Sequence, residues 1–214
     1  MGSQRLSELQ RDAITEFLNI GMGQAAASLS EIVNEEVKLS IPTVDLLTCQ
    51  GVAQSLNQQG EQVLMAAIRE RFDGPSWGGE AILLFPQEQG KALVRALVEG
   101  DISPEMLAEL EEDALMEVGN IVLNACLSSC SDMLSCEIIS GVPIFITAPV
   151  TELIGGFFTD CSDDRIMFLQ VGFTLDSKNV MGYVALMLET TMSDNFVVNI
   201  NNYLSAVGFP QVEG

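Results

Sequence analysis

The chain carries one eight-residue pattern twice. Asp12-Ala-Ile-Thr-Glu16-Phe-Leu-Asn19 recurs as Asp113-Ala-Leu-Met-Glu117-Val-Gly-Asn120, so both copies read D-x3-E-x2-N. Twenty-two residues separate Asn19 from Pro42, and the same number separates Asn120 from Pro143. Downstream, Gly79-Glu-Ala-Ile-Leu-Leu-Phe has its counterpart in Gly182-Tyr-Val-Ala-Leu-Met-Leu, and the offset stays near 101 to 103 residues. A period this long is not that of a solenoid. It implies duplication of a whole supersecondary unit, and it restricts the chain to folds with an internal pseudo-twofold.

A helix advances about 100° per residue, so with the Asp at 0° the Glu falls near 40° and the Asn near −20°. Ala13, Ile14, Phe17, Gly21, Ala25, Ser28 and Ile32 fall opposite, between about 100° and 220°. Each copy therefore predicts an amphipathic helix with an acid and an amide one turn apart on its outer face.

Each half reads as helix, strand interrupted at a proline, two long strands, helix. Ser7 and Gln10 have capping-box spacing, which starts the first helix; it ends near Asn34. Gly21 and Gly23 inside it mark a kink or a place where another backbone packs closely. Val37–Ile41 alternates as a strand, Pro42 interrupts it, and Thr43–Leu47 resumes it. Residues 48–60 are rich in Gln, Gly and Ser and read as a loop. Strands at Glu61–Phe72 and Gly78–Phe85 flank the turn Asp73-Gly74-Pro75. A helix follows over Gln87–Val98.

The second half opens on an acidic connector, Asp101–Glu112, in which Ser103-Pro104-Glu105 is a helix-start signal. A helix spans Asp113–Met133. Short strands at 137–139 and 144–146 flank Pro143. Strands at Arg165–Leu175 and Val180–Leu188 and a helix over Phe196–Leu204 complete it. The fold class is α+β: a pseudo-twofold duplicated domain over 1–214, with repeats of about 3–100 and about 104–208. Two sheets are expected to join edge to edge into one antiparallel-rich sheet. Two long motif-bearing helices and their companions cover a face.

Composition removes several functions. There are 30 acidic and 9 basic side chains, a formal net charge of −21. Such a chain does not neutralise a phosphate backbone, which argues against nucleic acid and anionic membrane surfaces as partners. No apolar run approaches 18 residues and no secretory h-region opens the chain, so neither membrane insertion nor export is expected. The five cysteines, Cys49, Cys126, Cys130, Cys136 and Cys161, lack metal spacing. Cys126 and Cys130 fall toward the buried side of the second helix and read as small hydrophobes. A reduced, cytoplasmic protein is expected.

The sequence contains no histidine. That removes Ser-His-Asp and Cys-His nucleophiles, histidine-ligated zinc and histidine general bases. What remains at the repeated motif is a fixed carboxylate and an amide. Asn is neither base nor nucleophile at neutral pH, but it donates and accepts at once and can hold a water in one orientation. Phosphoryl hydrolysis needs that, because its catalysis is mainly positioning and electrostatics. With no phosphate loop, cationic clamp or metal cluster, the other parts of such a site must come from a substrate protein.

The chain resembles the CheC/CheX/FliY family of chemotaxis phosphatases, whose signature [DS]-x3-E-x2-N-x22-P both copies satisfy. The strings Asn19-Ile-Gly-Met-Gly-Gln-Ala-Ala and Gly119-Asn120-Ile are also similar, and two motifs resemble CheC more than CheX. The resemblance implies dephosphorylation of the aspartyl-phosphate of a CheY-type response regulator. It implies that Glu16 and Glu117 pair with the regulator's lysine and that Asn19 and Asn120 orient the attacking water. Asp12 and Asp113 would orient or cap, and Pro42 and Pro143 would set strand geometry. It implies no cofactor or metal on this chain and Mg2+ on the regulator. For some members it also implies a CheD-like receptor deamidase as partner. Ranked second, the same faces suit a non-catalytic module that docks or sequesters a receiver domain. An assembly protein that dimerises through the repeat ranks third. Phe17-Leu18 places bulk before Asn19 where the second copy has Gly119, which is expected to hinder approach at the first face. Asn124 stands one turn beyond Asn120 where the first copy has Gly23, so the faces are expected to differ.

Overall fold

The first helix begins where its cap places it. In a computed structural model that describes residues 6–40, 43–56, 63–75, 77–98, 103–157, 166–175, 178–188 and 190–209, α1 spans Glu8–Val33. Ser7 Oγ accepts from the Gln10 backbone N–H, and Gln10 Oε1 accepts from that of Ser7 at 2.8 Å. Asn34 closes the helix in the left-handed region at φ 52°, which Asn tolerates better than most residues. The buried face lies further round than the sequence pattern suggests. Gln10, Ile14, Leu18, Gly21, Met22, Ala25 and Leu29 are buried, covering about 160° to 280° on the same wheel. Ser28 and Ile32, expected inside, are exposed.

Strands β1 (Val37–Ser40) and β2 (Val44–Leu47) follow as expected. Helix α2 (Cys49–Leu56) then replaces the expected loop. Val52 and Leu56, one turn apart and buried, anchor it. Strands β3 (Leu64–Asp73) and β4 (Gly78–Pro86) form an antiparallel hairpin, followed by α3 (Gln87–Leu97). From Pro104 on, the acidic connector is likewise helical. Helix α4 runs Pro104–Leu134, capped by Ser103, whose hydroxyl accepts from Met106 N–H at 3.2 Å. Its first turns bury Leu107, Glu111 and Leu115 at four-residue spacing. Next come β5 (Ile139–Ser140), β6 (Ile144–Pro149) and α5 (Val150–Phe157), a helix the sequence pattern did not suggest. Strands β7 (Ile166–Leu175) and β8 (Lys178–Leu188) and helix α6 (Thr190–Ala206) end the described chain.

All eight strands belong to one sheet of order β1-β7-β8-β4-β3-β5, with β2 also on β7 and β6 also on β3. Every pairing is antiparallel. The two repeats meet at β4 and β8, where Ile82 opposes Ala185. The proline-broken strands are exchanged. Those of the first repeat pair with β7 of the second, and those of the second pair with β3 of the first. Neither half completes its own sheet.

Helices cover both faces rather than one. Alternation along β3 sends Ala66, Ile68 and Phe72 to the core beneath α1, α3, α4 and α6. Met65 and Ala67 face a smaller core under α2 and α5. Trp77 stacks edge-on between Phe72 and Phe196, centroids 5.3 and 5.1 Å apart, tying β3 to α6. Among the described residues no helix is long and apolar enough to cross a membrane.

Candidate functional site

Two close contacts set the motif helices. A Cβ at Gly21 of α1 would stand 2.6 Å from the Ala125 carbonyl oxygen and 2.6 Å from Ser129 Oγ, so the backbones of α1 and α4 touch there. A Cβ at Gly119 would stand 2.4 Å from Ile68 Cγ2, so α4 also lies directly on β3. Gly119 therefore serves the sheet contact. Its counterpart Leu18 is fully buried, and Phe17 packs edge-on against Tyr203 at 4.9 Å. The bulk that the sequence places before Asn19 is thus turned into the core and against α6.

With the inner faces committed, the motifs point outward. Asp12, Glu16 and Asn19 on α1, and Asp113, Glu117 and Asn120 on α4, are all exposed. Of these six only Asn120 has a side-chain hydrogen bond among the described residues: its Oδ1 accepts from Asn124 Nδ2 at 2.7 Å. The two motifs occupy separate helices, with no hydrogen bond or ion pair between them. Pro143 sits in the bend between β5 and β6, while Pro42 lies outside the described residues.

The acids continue each stripe. Glu8, Asp12 and Glu16 stand at four-residue spacing on α1, as do Glu105, Glu109, Asp113 and Glu117 on α4, and all are exposed. Like charges one turn apart destabilise a helix by about 0.2–0.5 kcal/mol per pair. Glu8 and Glu105 sit in the first turns, where the helix dipole favours an acid, but the acids beyond them gain nothing from that end; the ridges are suited to a cationic surface.

Beside the second face, between α4 and β5, lies a cavity of about 310 Å³ lined in part by Asn124, Ser128, Asp132, Ile138 and Ser140. The sequence offered no signal for it, because its walls come from segments that only the fold brings together. Ile139, Val142 and Ile144 stand exposed around Pro143 on the same strand pair, Val142 at 86%.

Several buried titratable groups lie outside the motif faces. Burial pushes the Cys126 thiol up to about 12, and that of Cys130 higher still, so both are protonated. Cys126 Sγ rests 3.5 Å from Met22 Sδ at the α1–α4 contact, as expected of small hydrophobes. Glu70 on β3 is 1% exposed, and neither carboxyl oxygen has a well-formed hydrogen bond among the described residues. Burial raises its pKa, and the Ser140 hydroxyl offsets only part of that. Among the described residues no three His, Cys, Asp or Glu side chains gather as a metal-ligand set.

Two solvent-facing acid-amide stripes on packed helices over a duplicated antiparallel sheet define the class, a CheC/FliY-like α+β fold. No protein-family model matches the chain. It is 27% identical over 141 residues to the CheY-P phosphatase CheC of Bacillus subtilis (strain 168), covering 64% of this chain and 66% of that protein. It is 27% identical over 172 residues to the flagellar motor switch phosphatase FliY of the same organism, covering 79% of this chain and 43% of FliY. The chain thus spans just under two thirds of CheC and under half of FliY. In structure it is similar to Thermotoga maritima FliY, with TM-score 0.70 and 18% identity over 91% of this chain and 98% of that one. It is also similar to a chain of the CheX-CheY-BeF3-Mg+2 complex from Borrelia burgdorferi, with TM-score 0.51 and 16% identity over 82% and 99%. The resemblance to the CheC/CheX/FliY family holds in both sequence and fold.

Proposed function

We propose that this chain is a phosphatase of a phosphorylated CheY-type response regulator in chemotaxis. Both curated relatives bear phosphatase names, one of them for CheY-P. One structural neighbour was solved in a complex with CheY, BeF3 and Mg2+. The observation that carries the proposal is the pair of exposed Glu–Asn faces, whose polar groups the fold leaves open to a partner.

Glu16 and Glu117 pair with the regulator's active-site lysine in a charge-assisted contact. Asn19 and Asn120 enter its site and hold a water in line with the phosphorus. The water oxygen forms the new P–O bond, the bond to the aspartyl oxygen breaks, and the regulator recovers its carboxylate with release of inorganic phosphate. Mg2+ on the regulator offsets the charge of the transferred group. Asp12 and Asp113 extend the acidic ridge that orients a basic rim, and Pro143 separates β5 from β6 after the second motif helix. No step needs a group of this chain to change protonation, which suits a sequence without histidine.

The test is phosphate release from a phosphorylated CheY-type receiver with Mg2+, using wild type, Asn19→Ala, Asn120→Ala and the double variant. Wild type accelerates release, and the double variant loses on the order of 100-fold of that acceleration while still binding the receiver. Acceleration that survives in the double variant refutes water positioning by the amides. Binding without any acceleration in wild type leaves a docking module instead.

A further inference from the structure

We propose that Asn124 is a positioning residue for the second face: it holds the Asn120 amide in one orientation, a hold the first face lacks because Gly23 stands there. The proposal rests on the phosphatase assignment above and deepens it.

The two faces match at Asp, Glu and Asn and part company one turn further on. Residues four apart on a helix lie one above the other, and there Asn124 Nδ2 donates to Asn120 Oδ1 at 2.7 Å. An exposed side chain otherwise changes rotamer in picoseconds to nanoseconds. An amide that orients a water must be stilled before it can do so. The contact commits one end of the Asn120 amide, turns Nδ2 away from Asn124 toward an incoming partner, and leaves a second lone pair on Oδ1. Asn120 thus meets the regulator with fewer states to lose. At the first face Gly23 offers no side chain, and Asn19 makes no side-chain hydrogen bond among the described residues. Were the Asn124 bond merely structural, it would add slightly to helix stability and leave turnover alone.

Each face is isolated by disabling the other. In an Asn19→Ala background, Asn124→Ala lowers kcat about three- to tenfold with KM little changed, the size of one lost hydrogen bond expressed in the transition state. In an Asn120→Ala background, Gly23→Asn raises kcat by a similar factor, a gain that a structural role does not produce. Thermal melts confirm that every variant is folded. Without any regulator, side-chain amide NMR gives Asn120 a higher order than Asn19, and Asn124→Ala removes the difference. Unchanged kcat in folded Asn124→Ala, or a change confined to KM, overturns the proposal. So does an active wild type whose Asn19→Ala variant is inactive, since the second face then does no work. If wild type accelerates no receiver, the phosphatase assignment fails. The NMR result then decides the hold by itself, and equal order at Asn19 and Asn120 refutes it.

Discussion

Gly21 and Gly23 lie two residues apart in one helix, and alanine should stabilise the protein at Gly23 but not at Gly21. At Gly23 the added methyl meets nothing within 4 Å. Only the helix preference of alanine acts there, about 1 kcal/mol in its favour. At Gly21 the same preference applies, but the methyl would sit 2.6 Å from the Ala125 carbonyl oxygen and 3.1 Å from its carbon. Ordinary contact requires the helices to part by roughly 1 Å. Ser129 Oγ, also 2.6 Å away, can rotate aside, whereas a carbonyl inside α4 cannot. Overpacking of this kind costs about 1–3 kcal/mol. Gly21→Ala is therefore neutral to about 2 kcal/mol destabilising after its propensity gain. The difference between the variants isolates the packing term, and at about 2–4 °C per kcal/mol it separates their melting temperatures by roughly 2–12 °C. Urea unfolding followed by far-UV circular dichroism reads the same difference as a shift in midpoint at constant m. Equal stabilisation by both variants would show that the backbones of α1 and α4 do not touch at Gly21.

Glu70 gives a pH-dependent prediction. Burial raises its folded pKa above the ordinary 4.5, so the folded state holds the proton more tightly than the unfolded chain does. Its contribution is fully present below the unfolded pKa and is lost as pH rises through the folded one. Glu70→Gln should accordingly be more stable than wild type by about 1 kcal/mol at pH 7.5, with the gain shrinking toward pH 4.5; melts that show a pH-independent difference contradict this. The thiols give another. Protonated and buried, Cys126 and Cys130 should stay unlabelled by iodoacetamide at pH 8 until denaturant is added. Mass spectrometry showing both labelled at free-thiol rates would mean the α1–α4 core opens readily.

The repeat, the motif helices and the central hairpins were legible because each rests on a local pattern: a duplicated string, a helical period, an alternating run. Legibility failed where composition or distance hid the pattern. Val52 and Leu56 carry a helical spacing, but the surrounding Gln, Gly and Ser residues made α2 look like loop. Leu107, Glu111 and Leu115 continue the α4 stripe, yet the acids between them made its first turns look like a connector. The buried face of α1 was misplaced because Ser28 and Ile32 suggested one side, while Leu18, Met22 and Leu29 take the contact. The strand exchange had no local signal, since a four-residue edge strand such as β1 does not encode a partner more than a hundred residues away. At the site, the outward direction of the motif followed from periodicity. The Asn124–Asn120 bond followed from spacing only in principle, because two exposed amides one turn apart need not meet.

The duplication itself separates what packing demands from what it does not. Five buried positions of α1, Ile14, Leu18, Met22, Ala25 and Leu29, correspond to Leu115, Gly119, Leu123, Cys126 and Cys130 of α4, all buried and all different. Each helix has adapted to its own neighbours, as Gly119 has to Ile68. Four exposed positions, Glu8, Asp12, Glu16 and Asn19, correspond to Glu109, Asp113, Glu117 and Asn120, all identical. Packing alone would give the reverse, with the core alike and the surface free to diverge. None of these exposed residues except Asn120 makes a side-chain hydrogen bond or ion pair among the described residues, and the acidic ones repel along their ridges. Their sameness is therefore not explained by the fold. That is the pattern the proposed phosphatase role calls for, with both faces kept for one regulator surface.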